Sequence, residues 1–131
     1  MSTRITRMQG MKFKAESEGL QVISGRIDQN SPPEGMSPGR LLAASLGLCT
    51  ATHIAPYLDK QQIESKDFSL TVITKPGYTP NRAEEFNITV HLGTALSEKQ
   101  KRELIEETQR CYVVNTLKNT PKINVTVKTL E

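Results

Sequence analysis

The stretch "MSPGRLLAASLGLCTATHIAPYL", residues 36–58, is the most apolar part of the chain and decides how the rest is read. Ser37 is a good helix N-cap, and Pro38 fits the first helical position, where its missing N–H costs nothing. Leu41, Leu42, Ala44, Ser45, Leu48, Cys49, Thr52 and Ala55 then follow a three–four spacing. Both faces stay apolar, which predicts a helix over 37–58 buried nearly all round. The small residues Gly39, Ala43, Ala44, Ser45, Gly47 and Ala51 suit a close helix–helix approach. Pro56 is expected to kink or end the helix near its last turns. Cys49 sits in the middle, and the only other cysteine, Cys111, lies sixty-two residues further on. Four readings are open for the two sulfurs: small buried hydrophobes, a metal site, a structural staple or a redox pair.

Upstream of the helix the pattern is of strands. Residues 3–8 and "MKFKAES" (11–17) alternate, with Met11, Phe13 and Ala15 on one side and Lys12, Lys14 and Glu16 on the other. Gly19 marks a hairpin turn into a third strand carrying Leu20 and Val22. A proline-containing loop, "IDQNSPPEGM", leads to the helix. Downstream, "DFSLTVITK" alternates Phe68, Leu70 and Val72, and "EEFNITVHL" alternates Phe86, Ile88, Val90 and Leu92. Ser97 and Gln100 form a capping-box signature that opens a helix through about Arg110. A further helical segment starts at Cys111, and "KINVTVKTL" (122–130) reads as a last alternating strand. Three strands, a buried helix, two strands, helices and a strand make an α+β fold with mainly antiparallel sheets, in one domain over 1–131.

Composition narrows the function classes. Apolar residues are 36 per cent of the 131 and mean hydropathy is −0.44, so the core is small and burial against a second copy would enlarge it. Seventeen basic residues against fourteen acidic leave a scattered net charge of +3, and only six residues are aromatic, which argues against nucleic acid. The N-terminus has no apolar leader region, and no eighteen consecutive residues are apolar, so neither a signal peptide nor a membrane span is expected. The expected location is the cytoplasm, where thiols stay reduced and a cysteine pair is more often catalytic or redox-sensing than structural.

The segment "SPGRLLAASLGLCTA" resembles the signature of the OsmC/Ohr family, in which a proline-led helix carries leucines, small residues and then a reactive cysteine. Cys111 in "RCYVVNTLKNTPKINVTV" is similar in spacing and context to that family's second cysteine, and the order of elements matches over essentially the whole chain. The resemblance implies an OsmC-like fold, with antiparallel sheets around a long buried central helix in an intertwined homodimer. It also implies two active sites at the subunit interface and thiol-dependent reduction of organic hydroperoxides, with regeneration by an unidentified thiol reductant.

That chemistry needs a thiolate, because the thiol is a poor nucleophile, and burial in an apolar helix opposes ionisation. Attack on a peroxide leaves a sulfenic acid, which a second thiol resolves to a disulfide. Cys49 is the expected attacking sulfur and Cys111 the resolving one. The arginine that the resemblance assigns to thiolate activation is Arg26, at the end of the strand before the proline loop. The glutamate that usually follows the family's helix-starting proline is replaced by Gly39 and Arg40, which points to weak activity; Glu34 is the nearest substitute. His53, four residues after Cys49, is a possible auxiliary that tunes the sulfur. With His91 and Cys111 the two would make a Cys₂His₂ set, but no short ligand pair accompanies them, so neither metal nor cofactor is expected. The alternative from another class is a non-catalytic dimer that binds a small apolar molecule in its cleft.

Overall fold

The computed structural model describes Met1–Leu130. The order is β1 (Arg4–Gln9), β2 (Met11–Ser17), β3 (Leu20–Arg26), α1 (Pro38–Lys60), β4 (Ser69–Gly77), β5 (Arg82–His91), α2 (Glu98–Thr108) and α3 (Tyr112–Lys118). Strands β1–β2–β3 form one antiparallel sheet and β4–β5 a second pair, an α+β architecture. By packing, the chain divides into two compact units: Met1–Ala44 with Ile73–Phe86, and Ser45–Val72 with Asn87–Glu131.

The first unit is built around the β1–β3 sheet. In its register Ile5 faces Ala15, Arg7 faces Phe13 and Ala15 faces Val22. The β1–β2 turn needs Gly10, whose φ of 58° is left-handed and whose missing Cβ leaves room for the carbonyl of Ile27. The loop before α1 is tied back to β3: Glu34 N–H donates to the Gly25 carbonyl at 2.9 Å, and Ser24 Oγ donates to the Met36 carbonyl at 2.7 Å. The sheet buries little. Ile5, Met11 and Leu20 are all exposed, and Gly77 is the only buried residue of this unit.

The second unit holds the core. Ile54, Tyr57 and Leu58 of α1 pack with Leu104 of α2, and Phe68, Leu70, Val90 and Leu92 close over them. The alternation expected in β4 and β5 is observed: Leu70 and Val72 are half-buried between exposed neighbours, as are Phe86, Ile88 and Val90. Gly47 lets α1 lie close on β4, since a Cβ there would stand 3.0 Å from Val72 Cγ2 and 3.1 Å from Leu70 Cδ1. The small residue therefore serves helix–strand contact, where the sequence suggested helix–helix contact. The capping box is present: Ser97 Oγ accepts from Gln100 N–H at 3.1 Å, and Gln100 Oε1 accepts from Ser97 N–H at 2.9 Å.

Four expectations change. First, α1 buries one stripe only, Leu46, Gly47, Thr50, Ile54, Tyr57 and Leu58, while Leu48 on the opposite side is exposed, as is Leu42 one turn before Leu46. Second, α1 runs through Pro56 to Lys60. Pro56 has no N–H for the Thr52 carbonyl one turn earlier, and both residues are exposed. Third, α1 is long and apolar enough to cross a membrane by length and composition alone, although a third of its apolar window is buried inside the protein. The criterion of consecutive apolar residues missed this because the serines and threonines of α1 interrupt the run. Fourth, residues 122–130 form no strand. Ile123, Val125 and Val127 keep their alternation but are 84, 86 and 82 per cent exposed, since nothing in the single chain pairs with them.

Candidate functional site

Cys49 lies on the middle turns of α1, half-buried, beside the buried stripe. The 23-residue helix that holds it is anchored at its start by Ser37, whose Oγ accepts from Arg40 N–H at 3.4 Å and whose carbonyl accepts from Leu41 N–H at 2.9 Å. Cys111 is fully buried and is the N-cap of α3, in extended backbone conformation. Its Sγ accepts from the N–H of Val114 at 3.4 Å. Cysteine is an unusual cap, and nothing in the sequence signals it.

The two thiols meet and are both free. Burial raises the pKa of Cys49. The Cys111 thiol and the backbone N–H groups of Val113 and Tyr112 outweigh that and hold it below the ordinary cysteine value. Cys111 goes the other way: burial and then the hydrogen bond with Cys49 push its thiol up, against the N–H groups of Val114 and Val113. Of the two thiols, Cys49 is therefore the one that gives up its proton first. The donors that favour it are the first-turn amides of α3, which no side-chain pattern in the sequence reveals.

The other expected residues are placed as follows. His53 is half-exposed, one turn beyond Cys49 on α1. His91 Nε2 is 3.1 Å from Thr71 Oγ1 across β4–β5. Among the described residues no three His, Cys, Asp or Glu side chains converge as metal ligands. Arg26 ends β3 in the first unit and is exposed; among the described residues it makes no ion pair. Glu34, the substitute carboxylate, pairs with Lys12 at 2.8 Å instead. A cavity of about 520 Å³ opens in the second unit between β5, the following loop and α2, lined by Ile88, Val90, Leu92, Leu96, Leu104 and Ile105 among others. Neither cysteine lines it.

A family model described as OsmC-like protein matches residues 29–126. Solved structures share the fold at low identity. A protein from Aquifex aeolicus VF5 aligns with TM-score 0.74 at 20% identity, over 91% of this chain and 87% of its own. An OsmC like protein from Mycoplasma pneumoniae aligns with TM-score 0.71 at 19% identity, over 92% and 89%. An organic hydroperoxide resistance protein OsmC from Legionella pneumophila aligns with TM-score 0.57 at 18% identity, over 91% and 90%. None of the curated proteins is similar enough to match.

Proposed function

Since the chain belongs to the OsmC-like protein family, we propose that it is a thiol-dependent peroxidase that reduces organic hydroperoxides through Cys49 and Cys111. The observation that carries this reading is the meeting of the two free thiols with their pKa values moved in opposite directions. Pairs of titratable groups driven apart in this way divide a reaction into two roles.

The Cys49 thiolate attacks one oxygen of the hydroperoxide. An S–O bond forms, the O–O bond breaks, and the leaving alkoxide takes up a proton to depart as the alcohol. Cys49 is then a sulfenic acid. The Cys111 thiol attacks that sulfur, an S–S bond forms, the S–O bond breaks and water leaves. An external thiol reductant returns the pair to two thiols. The amides of Tyr112 and Val113 favour the first step by stabilising negative sulfur. Arg26 is the cation that the family resemblance assigns to the same task, and His53 the auxiliary. Glu34 is engaged with Lys12, so the reading keeps Arg26 without a carboxylate holder and turnover slow.

The working form in this reading is a homodimer. Its support is the apolar surface left uncovered in one chain: Leu42 and Leu48 on α1, Ile5 and Leu20 on the first sheet, and the extended 122–130 segment. A second copy would remove these large apolar side chains from water, at about 25 cal/mol for each Å² covered. Neither nucleic acid nor a membrane enters the reading, and its setting is a reducing cytoplasm.

The test is hydroperoxide consumption in the presence of a dithiol reductant. The parent should consume an organic hydroperoxide over many turnovers and Cys49→Ser none. Cys111→Ser should stop with Cys49 as a trapped sulfenic acid. Thiols left untouched by excess hydroperoxide would end the peroxidase reading. The apolar cavity beside β5 would then favour a binding protein, checked by uptake of a fluorescent fatty acid.

A further inference from the structure

A disulfide between Cys49 and Cys111 would present its two sulfurs very differently to a reagent outside the chain. Cys111 is fully buried, 0 per cent exposed. Each of its polar groups is engaged inside the chain. Its N–H donates to the Thr108 carbonyl at 3.3 Å, its carbonyl accepts from Asn115 N–H at 2.9 Å, and its Sγ accepts from Val114 N–H at 3.4 Å. Cys49 stands instead at the rim of the buried stripe of α1. Leu46 and Thr50 are buried, Leu48 and Thr52 are exposed, and Cys49 among them is only half-buried.

Thiol–disulfide exchange is directional. The attacking sulfur approaches opposite the bond that breaks, so attacker, central sulfur and leaving sulfur lie in a line. With Cys49 as the central sulfur, Cys111 leaves on the inner side and the attacker comes from the open rim of α1. With Cys111 central, the attacker would have to pass through the protein that encloses it. Two factors decide which sulfur is taken, access and the acidity of the leaving thiol. Acidity favours Cys49 as the leaving group, and hence attack on Cys111, because burial pushes the Cys111 thiol up. Its weight is a few-fold in rate. Access weighs more, since an enclosed sulfur is met only in the small fraction of molecules whose fold has opened around it.

We infer that the external thiol reductant enters at Cys49, the same sulfur that meets the peroxide, and that Cys111 exchanges only with Cys49. This rests on the disulfide of the proposed reaction. The reductant's thiolate attacks Cys49 Sγ. A new S–S bond joins reductant and Cys49, the Cys49–Cys111 bond breaks, and Cys111 leaves as a thiolate that takes up a proton. A second reductant thiol then attacks the reductant sulfur of the mixed disulfide. The reductant is oxidised to its own disulfide, and Cys49 leaves as a thiolate. Cys49 is the more acidic of the two cysteines and so the better leaving group for this last step. Peroxide and reductant therefore exclude each other at one opening, and Cys111 carries no adduct at any stage.

The test starts from the full chain oxidised by diamide, which takes two electrons and two protons from a thiol pair and leaves the disulfide. Glutathione is added, the mixture is quenched in acid at short times, and the mixed disulfide is located by mass spectrometry of peptides. Glutathione should stand on Cys49, with Cys111 a free thiol, in at least about tenfold excess over the reverse. Single-cysteine variants check access. Dithionitrobenzoic acid should titrate Cys49 in Cys111→Ser at least about tenfold faster than Cys111 in Cys49→Ser, and the difference should shrink when urea unfolds both. Glutathione found on Cys111 as often as on Cys49 would overturn the assignment. So would a disulfide that glutathione opens only in urea, or no disulfide from diamide at all. A hydroperoxide run on the reduced chain separates the two proposals: glutathione on Cys49 of the diamide-oxidised chain, with thiols that hydroperoxide leaves untouched, keeps the entry point and ends the peroxidase reading.

Discussion

The two units of this chain differ in what they own. Residues 1–44 with 73–86 carry three well-registered strands, yet their only buried residue is Gly77. The other unit contains all six buried hydrophobic residues among the described ones, Leu46, Ile54, Tyr57, Leu58, Leu104 and Cys111, and both cysteines. A sheet that is at best half-buried is poorly stabilised, because backbone pairing contributes little net free energy without apolar burial. The contrast teaches where chemistry can be placed. Cys111 is held by a core that the second unit builds for itself, whereas the first unit buries almost nothing of its own.

The sharpest way to break this contrast is to damage each side equally. Ile54 is fully buried, and Ile54→Ala should destabilise the protein by about 2–5 kcal/mol in urea unfolding. Leu20 is 78 per cent exposed, so in a single chain Leu20→Ala should cost less than about 0.5 kcal/mol. Equal losses at low protein concentration would mean that the first unit has a core after all.

A second chain would remove the asymmetry, and Leu48 tests that. It is 68 per cent exposed on the side of α1 away from the core. If a second copy covers it, Leu48→Asp forfeits the roughly 1.5–3 kcal/mol that burying a leucine contributes. The dissociation constant should then rise by about one to two orders of magnitude, read by sedimentation across micromolar concentrations. A parent protein that stays monomeric there would remove the dimer and leave the exposed surface to another partner.

The same contrast marks what the sequence made legible. Alternation at 68, 70, 72 and at 86, 88, 90 is a period-two signal with one apolar face, and it located β4 and β5. The Ser97–Gln100 box is local chemistry and is present as expected. In α1 the apolar residues lie on both faces, so the sequence marked no side for the core. A helix apolar nearly all round has no phase to read, and the core took Leu46, Thr50, Ile54 and Leu58. Residues 122–130 have the right alternation for a strand, but a strand also needs a neighbour, and a sequence does not say whose. Cys49 and Cys111 were identifiable as a pair. The amides of Tyr112 and Val113 were not, since every residue but proline has one.

Those amides predict a third effect, smaller than the first two and confined to the second unit. Cys49 is held below the ordinary cysteine pKa, so its alkylation rate should climb with pH earlier than that of Cys111, whose pKa is raised. Cys111→Ala removes the thiol that donates to Cys49 and the cap of α3, moving the climb to higher pH. A hydrogen bond to a charged group contributes about 1.5–3 kcal/mol, so iodoacetamide should label Cys49 roughly tenfold or more slowly at neutral pH. An unchanged rate profile would mean that neither Cys111 nor α3 acts on the sulfur.

The smallest effect belongs to the first unit. The family resemblance assigns thiolate activation to Arg26, but the described residues offer it no carboxylate, and Glu34 is taken by Lys12 at 2.8 Å. An exposed, unheld charge contributes about 0–1 kcal/mol, so Arg26→Ala should slow Cys49 alkylation by less than about fivefold. Gly39→Glu supplies the carboxylate at the family position. A Cβ there meets nothing within 4 Å, and the first turn of α1 carries no acidic residue, so the change suits the positive end of the helix. If a held arginine is what the family site needs, Gly39→Glu should speed oxidation of Cys49 by an organic hydroperoxide, and adding Arg26→Ala should cancel the gain. A gain that survives Arg26→Ala would place the carboxylate's action elsewhere. No gain in either background would leave the α3 amides and Cys111 as the activating groups, and make the second unit sufficient for the chemistry of its own sulfurs.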